Sequence, residues 1–375
     1  NFVYLYYYNI HDIIKVKSEI KLQELEYFVS KEFEDPDIIL IIRSFSKDPD
    51  MSKFRATRKL ITDNVDSQSS QYTIKYTEHF GSSGAQFQIK FNGSKIEISI
   101  NELISKSKHV TYVNLIEPVL RFLFLSKGYI LLHSACMSSP SGHGFFLSAP
   151  PDTGKTTTVI KCVKQGYYFL SDDMTIINLP NNAVCFPKSM TISAHTYKTA
   201  VEAQSPSNHD KDDVNDKKGM RIRSLVHSKT GRSLMHKLAD HNVPIFTINT
   251  IGQSKIKPPK YHISDIIKDA KIKDKTTINS LFFLEKGSDE EKVEKIEKIS
   301  VDDALQRAIE NSDDAFLFPP YSDLIKCIRI QDKTAYDLLE DEKKMMEKLL
   351  SSIDCYILKS SGRKWSQMIL EKFKT

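Results

Sequence analysis

The chain has 375 residues, of which 40% are hydrophobic and 27% charged, and its net charge is +5 at pH 7. That is enough apolar material for one large core or two, and too mild and dispersed a positive excess to argue for nucleic acid as a partner. No apolar run approaches the length of a membrane span, so a membrane partner is not expected either.

The cysteines stand at 136, 162, 185, 327 and 355, an odd count with no Cys-x-x-Cys pair. They read as buried thiols, neither disulfides nor zinc ligands, and a cytoplasmic location is expected. The chain starts at Asn1, which is not an initiator, and Phe2–Tyr8 is a short aromatic run without the form of a signal peptide. A trimmed or partial chain is expected.

Residues 1–110 describe a small α+β unit, expected to serve substrate choice or assembly. Its clearest element is a hairpin. Phe87, Ile89 and Phe91 alternate with polar residues, Asn92-Gly93 makes the turn, and Ile96, Ile98 and Ile100 alternate on the return. Asp66–Gln71 is polar and reads as a loop. Val113–Lys127 has apolar residues at helical spacing, with Pro118 setting a first turn near Glu117 and Gly128 as the stop.

Tyr129–Met137 reads as one strand carrying His133, and Ser138–Gly144 as the turn after it. Then comes the most informative run in the chain, Phe145-Phe146-Leu147-Ser148-Ala149-Pro150-Pro151-Asp152-Thr153-Gly154-Lys155-Thr156-Thr157. An apolar strand leads into a tight turn, and Gly-Lys-Thr opens a helix. A nucleoside triphosphate needs converging amide donors, a cation for its outer phosphates and a hydroxyl to share its magnesium. A helix N-terminus, Lys155 and Thr156 answer those needs. The match is imperfect. Ala149 stands at the usual first glycine, Pro150 and Pro151 have no N–H to donate, and Asp152 sits where many such loops have glycine. Phosphate donors are therefore expected over Asp152, Thr153, Gly154, Lys155, Thr156 and Thr157.

Thr156–Gln165 reads as a helix stopped by Gly166, and Tyr167–Ser171 as a strand ending in Asp172-Asp173. Carboxylates at a strand end beside a phosphate loop are what magnesium and an attacking hydroxyl require. Met174–Leu179 and Ala183–Phe186 read as a hairpin over Pro180-Asn181-Asn182. Gln204–Lys218 is nearly free of apolar residues and reads as a surface insertion, set at about residues 202–219. The basic segments Gly219–Ser224 and Ser228–Ser233 follow, with Arg223 and Arg232 as candidates for meeting transition-state charge or an anionic substrate. Pro258-Pro259-Lys260-Tyr261-His262 reads as a rigid turn. Beyond it are a central strand at Asn279–Leu284, a helix at Val301–Asn311 capped by Ser300 and an amphipathic helix at Lys333–Ile353. A late strand at Cys355–Leu358 leads to a last helix anchored by Trp365.

Leu132-His133-Ser134-Ala135-Cys136, the Ser141–Gly144 turn, the Gly-Lys-Thr-Thr loop, Ser171-Asp172-Asp173 and Phe186-Pro187-Lys188 together resemble the catalytic core of HPr kinase and its relatives. The resemblance spans about residues 114–190, is weaker over 275–310 and absent before 100. It implies an α/β, phosphoenolpyruvate carboxykinase-like phosphate-loop core with a mixed sheet over residues 111–375, and a Mg²⁺-dependent kinase using ATP or another nucleoside triphosphate. Lys155 would hold the outer phosphates, and Thr156 and Asp173 the metal. Asp172 would act as base, His133 would orient it or touch the phosphoryl group, and a homo-oligomer is implied by analogy. The acceptor is left open among a protein or peptide serine and a small alcohol. Two other readings stand beside the kinase: a nucleotide-binding regulatory module without catalysis, and a phosphoenolpyruvate carboxykinase-type enzyme.

Overall fold

The computed structural model describes residues 4–46, 56–64, 71–80, 83–151, 153–192, 237–238, 243–255, 260–288, 293–316 and 319–374. Asp152, the loop before Gln71, the insertion, both basic segments with Arg223 and Arg232, and Pro258-Pro259 lie outside them. The chain divides into two compact units. One takes residues 1–127, 225–258 and 316–340; the other takes 128–224, 259–315 and 341–375. A cut at 110 would fall inside a helical path that runs from Lys108 to Ser126.

The first unit is built on a sheet of β1 (Tyr6–Ile10), β2 (Ile14–Ser18), β3 (Ile38–Ile42), β4 (Ala56–Asn64), β5 (Gln71–Phe80), β6 (Ser83–Asn92) and β7 (Lys95–Ile100). Their order is β1-β2-β3-β7-β6-β5-β4. The β6–β7 hairpin forms as its alternation predicts. Phe87 faces Ile100, Ile89 faces Ile98 and Phe91 faces Ile96, all buried, and Gly93 takes φ +61° in the turn. Helix Ile245–Lys255 packs on this face. Its Phe246 meets Tyr76 and Phe87 edge-on, and the buried Glu78 carboxylate accepts its Thr247 N–H at 2.8 Å.

Pro118 shapes the helix that ends this part of the chain. It brings no N–H and crowds the carbonyl four residues back, and the path widens into a π turn over Tyr112–Ile116 just before it. The following helix, Glu117–Ser126, is buried along almost its whole length.

The second unit holds a branched mixed sheet. Its strands are β8 (Tyr129–Leu132), β9 (Ala135–Ser138), β10 (Gly144–Ser148), β11 (Tyr168–Ser171), β12 (Thr175–Asn178), β13 (Asn182–Val184), β14 (Lys275–Lys286), β15 (Glu294–Lys298) and β16 (Asp354–Ser360). One path runs β11-β9-β10-β14-β13-β12-β8, and β16 pairs with both β14 and β15. The long β14 is central, as its apolar run predicts. One edge takes β10 in parallel, and the other takes β13 at its start and β16, in parallel, toward its end.

The single strand expected over Tyr129–Met137 is two strands, broken at His133-Ser134. β8 pairs with β12, whereas β9 pairs with β10 and β11. His133 is thus at a corner between two branches. Because β9 runs antiparallel to both β10 and β11, its start lies at the sheet edge where those two strands end. Helices Lys155–Lys164 and Trp365–Lys372 share one apolar cluster with β10, while Val301–Phe316 contributes Ala304 and Ala308 to another. All five cysteines are free, and four are buried.

Candidate functional site

The loop expected to hold phosphate leaves β10, buried at every residue, at Ser148. The turn tightens through Thr153, whose N–H donates to Pro150 O at 3.3 Å. That amide is used inside the turn, so among the described donors the outward set starts at Gly154. Gly154 stands at φ +121°, a conformation that strains any L side chain, and a Cβ there would lie 3.1 Å from Cζ3 of Trp365. Both reasons call for glycine. The helix then begins at Lys155. The N–H groups of its first turn have no carbonyl behind them and lie at the positive end of the helix dipole.

The carboxylates arrive as the sequence predicts, immediately after β11. Asp172 is buried, and its Oδ2 accepts the Thr156 hydroxyl at 2.9 Å. Its Oδ1 is buried without a hydrogen-bond partner. Burial pushes its carboxyl above the ordinary 3.8, aided by the charge of Asp173 and opposed by Lys155, the Thr156 hydrogen bond and Lys188.

Asp173 has the opposite surroundings. Its Oδ2 accepts from Lys188 Nζ at 2.6 Å, and its Oδ1 lies 3.0 Å from His133 Nε2 and 3.7 Å from Lys155 Nζ. Burial acts to raise its pKa, but Lys188, the hydrogen bond and charge of His133, and Lys155 together outweigh it. They hold the carboxyl well below the usual range.

His133 is held from behind by Asn311, in helix Val301–Phe316. Its Nδ1 lies 3.1 Å from Asn311 O, while the Asn311 side-chain amide donates to His133 O at 2.8 Å and to Ser148 Oγ at 3.0 Å. Its two ring nitrogens thus face the Asn311 carbonyl and the Asp173 carboxylate. The two carboxylates meet two ammonium groups and this imidazole.

The structure brings together Thr153, Gly154, Lys155, Thr156, Thr157, Asp172, Asp173 and His133 of the expected set. Asp152, Arg223 and Arg232 lie outside the described residues. Asn311 and Ser148 were not anticipated. The available signal was an amide at 311 within the stripe of Ala304, Ala308 and Ala315, where a polar group must find partners. Lys188, named only within the Phe186-Pro187-Lys188 run, reaches Asp173, and Trp365, expected as an anchor, touches Gly154. No group of three or more His, Cys, Asp or Glu side chains converges among the described residues, and no described helix is long and apolar enough to cross a membrane. No family model matches the chain, and no curated protein matches its sequence.

Proposed function

We propose that this chain is a magnesium-dependent phosphotransferase of the HPr kinase-like class, with the phosphoenolpyruvate carboxykinase-like fold. It moves the terminal phosphoryl group of ATP, or of another nucleoside triphosphate, to a hydroxyl of a protein, a peptide or a small alcohol. One observation carries the reading: the hydroxyl and ammonium of the phosphate loop meet the two neighbouring carboxylates, Thr156 on Asp172 and Lys155 beside Asp173.

The residues fit a divalent cation. Thr156 gives its proton to Asp172 and keeps a hydroxyl lone pair, and Asp172 Oδ1 is an orphaned buried acceptor. Magnesium takes one or two protein oxygens and completes its shell from phosphate and water, so a set of this size suits it. Bound there, it would neutralise charge on the outer phosphates.

The order of the aspartates in this proposal is the reverse of the expected one: Asp172 with the metal, Asp173 toward the acceptor. Asp173 stays ionised, accepts the proton of the attacking hydroxyl as that bond breaks, and is oriented by His133 and Lys188. A base in phosphoryl transfer need not be strong, because proton loss accompanies a largely dissociative step. Lys155 moves its charge from Asp173 to the phosphates when nucleotide enters. Lys188 supplies positive charge beside the transferred group.

The test is transfer of label from γ-³²P-labelled ATP and Mg²⁺ to a cell lysate, by wild-type protein and Lys155→Ala. Label on a protein or metabolite, lost in the variant with nucleotide affinity down about 100-fold, is the expected result. Binding without transfer would make the chain a regulatory module. Transfer that requires oxaloacetate would make it a carboxykinase.

A further inference from the structure

The phosphate-loop strand divides the site end of the sheet into two flanks. Along the order β11-β9-β10-β14, with β16 beyond β14, both carboxylates and the histidine arrive from the β9–β11 side, and Lys188, which follows β13, joins them at Asp173. Asp172 and Asp173 follow β11, and His133 precedes β9. A nucleotide whose outer phosphate meets those groups must extend its nucleoside the other way, toward the ends of β14 and β16. Strands β10, β14 and β16 are mutually parallel, and ligands collect beyond the carboxyl ends of such strands.

The turn leaving β16 has features the fold does not need. Arg363 takes φ +53°, an uncommon and strained conformation for a long side chain. Arg363 and Lys364 immediately precede helix Trp365–Lys372, where the dipole disfavours cations. Arg363 is exposed, and no described residue pairs with it. Yet the turn is built firmly. Lys364 N–H donates to Ser360 Oγ at 2.8 Å, Trp365 Nε1 donates to Leu358 O at 2.9 Å, and the Trp365 ring lies against Gly154. A strained, unpaired cation is thereby fixed beside the phosphate loop.

Resting on the nucleotide reading above, we propose that the Ser360–Lys364 turn is the nucleoside subsite, with the planar guanidinium of Arg363 laid on the base. A guanidinium offers a flat, weakly hydrated face for a π system, which an ammonium does not.

Calorimetric titration with Mg²⁺-ATP and with Mg²⁺-tripolyphosphate, which lacks base and sugar, tests this. Arg363→Gly is the variant, because glycine accepts φ +53° freely and the fold should hold or gain stability. The expected result is ATP affinity lowered about tenfold or more and tripolyphosphate affinity within twofold, with a melting temperature equal or higher. Arg363→Lys should lose ATP affinity nearly as far. Equal losses for both ligands, or unchanged ATP binding in the glycine variant, overturn the subsite while leaving the phosphate loop in place. Failure of the wild-type protein to bind either ligand overturns the nucleotide reading and the subsite with it.

Discussion

The sheets of the two units solve different problems. In the first, β6 and β7 alternate strictly, and each buried Phe or Ile is opposed by another, Ile89 by Ile98 and Phe91 by Ile96. In the second, β10 is short and buried on both faces, and the pairing breaks at the His133 corner. There a buried carboxylate with an orphaned oxygen, Asp172, sits next to one held by Lys155, Lys188 and His133, Asp173. The first region buries charge too, with Glu78 accepting from Thr247, but only at the second's His133 corner do two adjacent carboxylates stand in opposite surroundings.

Asp173→Asn gives the largest effect expected from that contrast. It removes the carboxylate assigned to the acceptor proton, so turnover should fall about 10²–10⁴-fold. It also leaves Lys155, Lys188 and His133 without their shared anion, so nucleotide affinity should hold or rise. Stability should drop at neutral pH, because a carboxylate with a depressed pKa stabilises the fold above its unfolded pKa and loses that as pH falls through the folded one. Single-turnover transfer with parallel titration checks this. Loss of nucleotide affinity with turnover preserved would return Asp173 to the metal.

Ile98→Ala probes the other region. Ile98 is fully buried between Leu40 and Ile89 across its strand neighbours, and truncating such a side chain costs about 2–5 kcal/mol through lost burial and the cavity left behind. Denaturant unfolding should show that loss. Nucleotide affinity, measured where the variant is folded, should stay within about twofold, since every assigned site residue belongs to the second unit. A tenfold change would dissolve the contrast.

Much of this was legible in the sequence wherever the signal was local. The β6–β7 hairpin, the helix ending at Gly166 and the Asp172-Asp173 strand end follow from alternation, punctuation and spacing. Gly166 closes its helix in a Schellman arrangement, with Tyr167 N–H on Cys162 O and Gly166 N–H on Val163 O. The His133 break was not legible, because one His-Ser pair inside an apolar run also suits a single strand, and only their partners, elsewhere along the chain, separate β8 from β9. Asn311 was hidden for the same reason, 178 residues from the histidine it holds. The order of the two aspartates depends on which one Thr156 reaches, and spacing along the chain carries no such direction.

Asp172→Asn is the smallest effect and the sharpest on sign. Asp172 has its pKa raised by burial, so between its unfolded pKa and that raised value the native state binds more protons than the unfolded chain. Stability then falls as pH rises through the window, and above it the wild-type protein bears the full cost of a buried charge, about 1.4 kcal/mol for every tenfold weakening of the acid. An amide bears no such cost, and its oxygen still accepts from Thr156. At neutral pH Asp172→Asn should therefore be more stable than wild type, and the gain should shrink as the buffer is acidified toward about pH 4. Asp173→Asn moves the other way at neutral pH. The same oxygen-to-nitrogen exchange at adjacent positions thus has opposite signs in thermal melts without metal. Two losses of similar size would mean that both carboxylates are structural, and that the charge beside the phosphate loop is held for the fold instead of for a ligand.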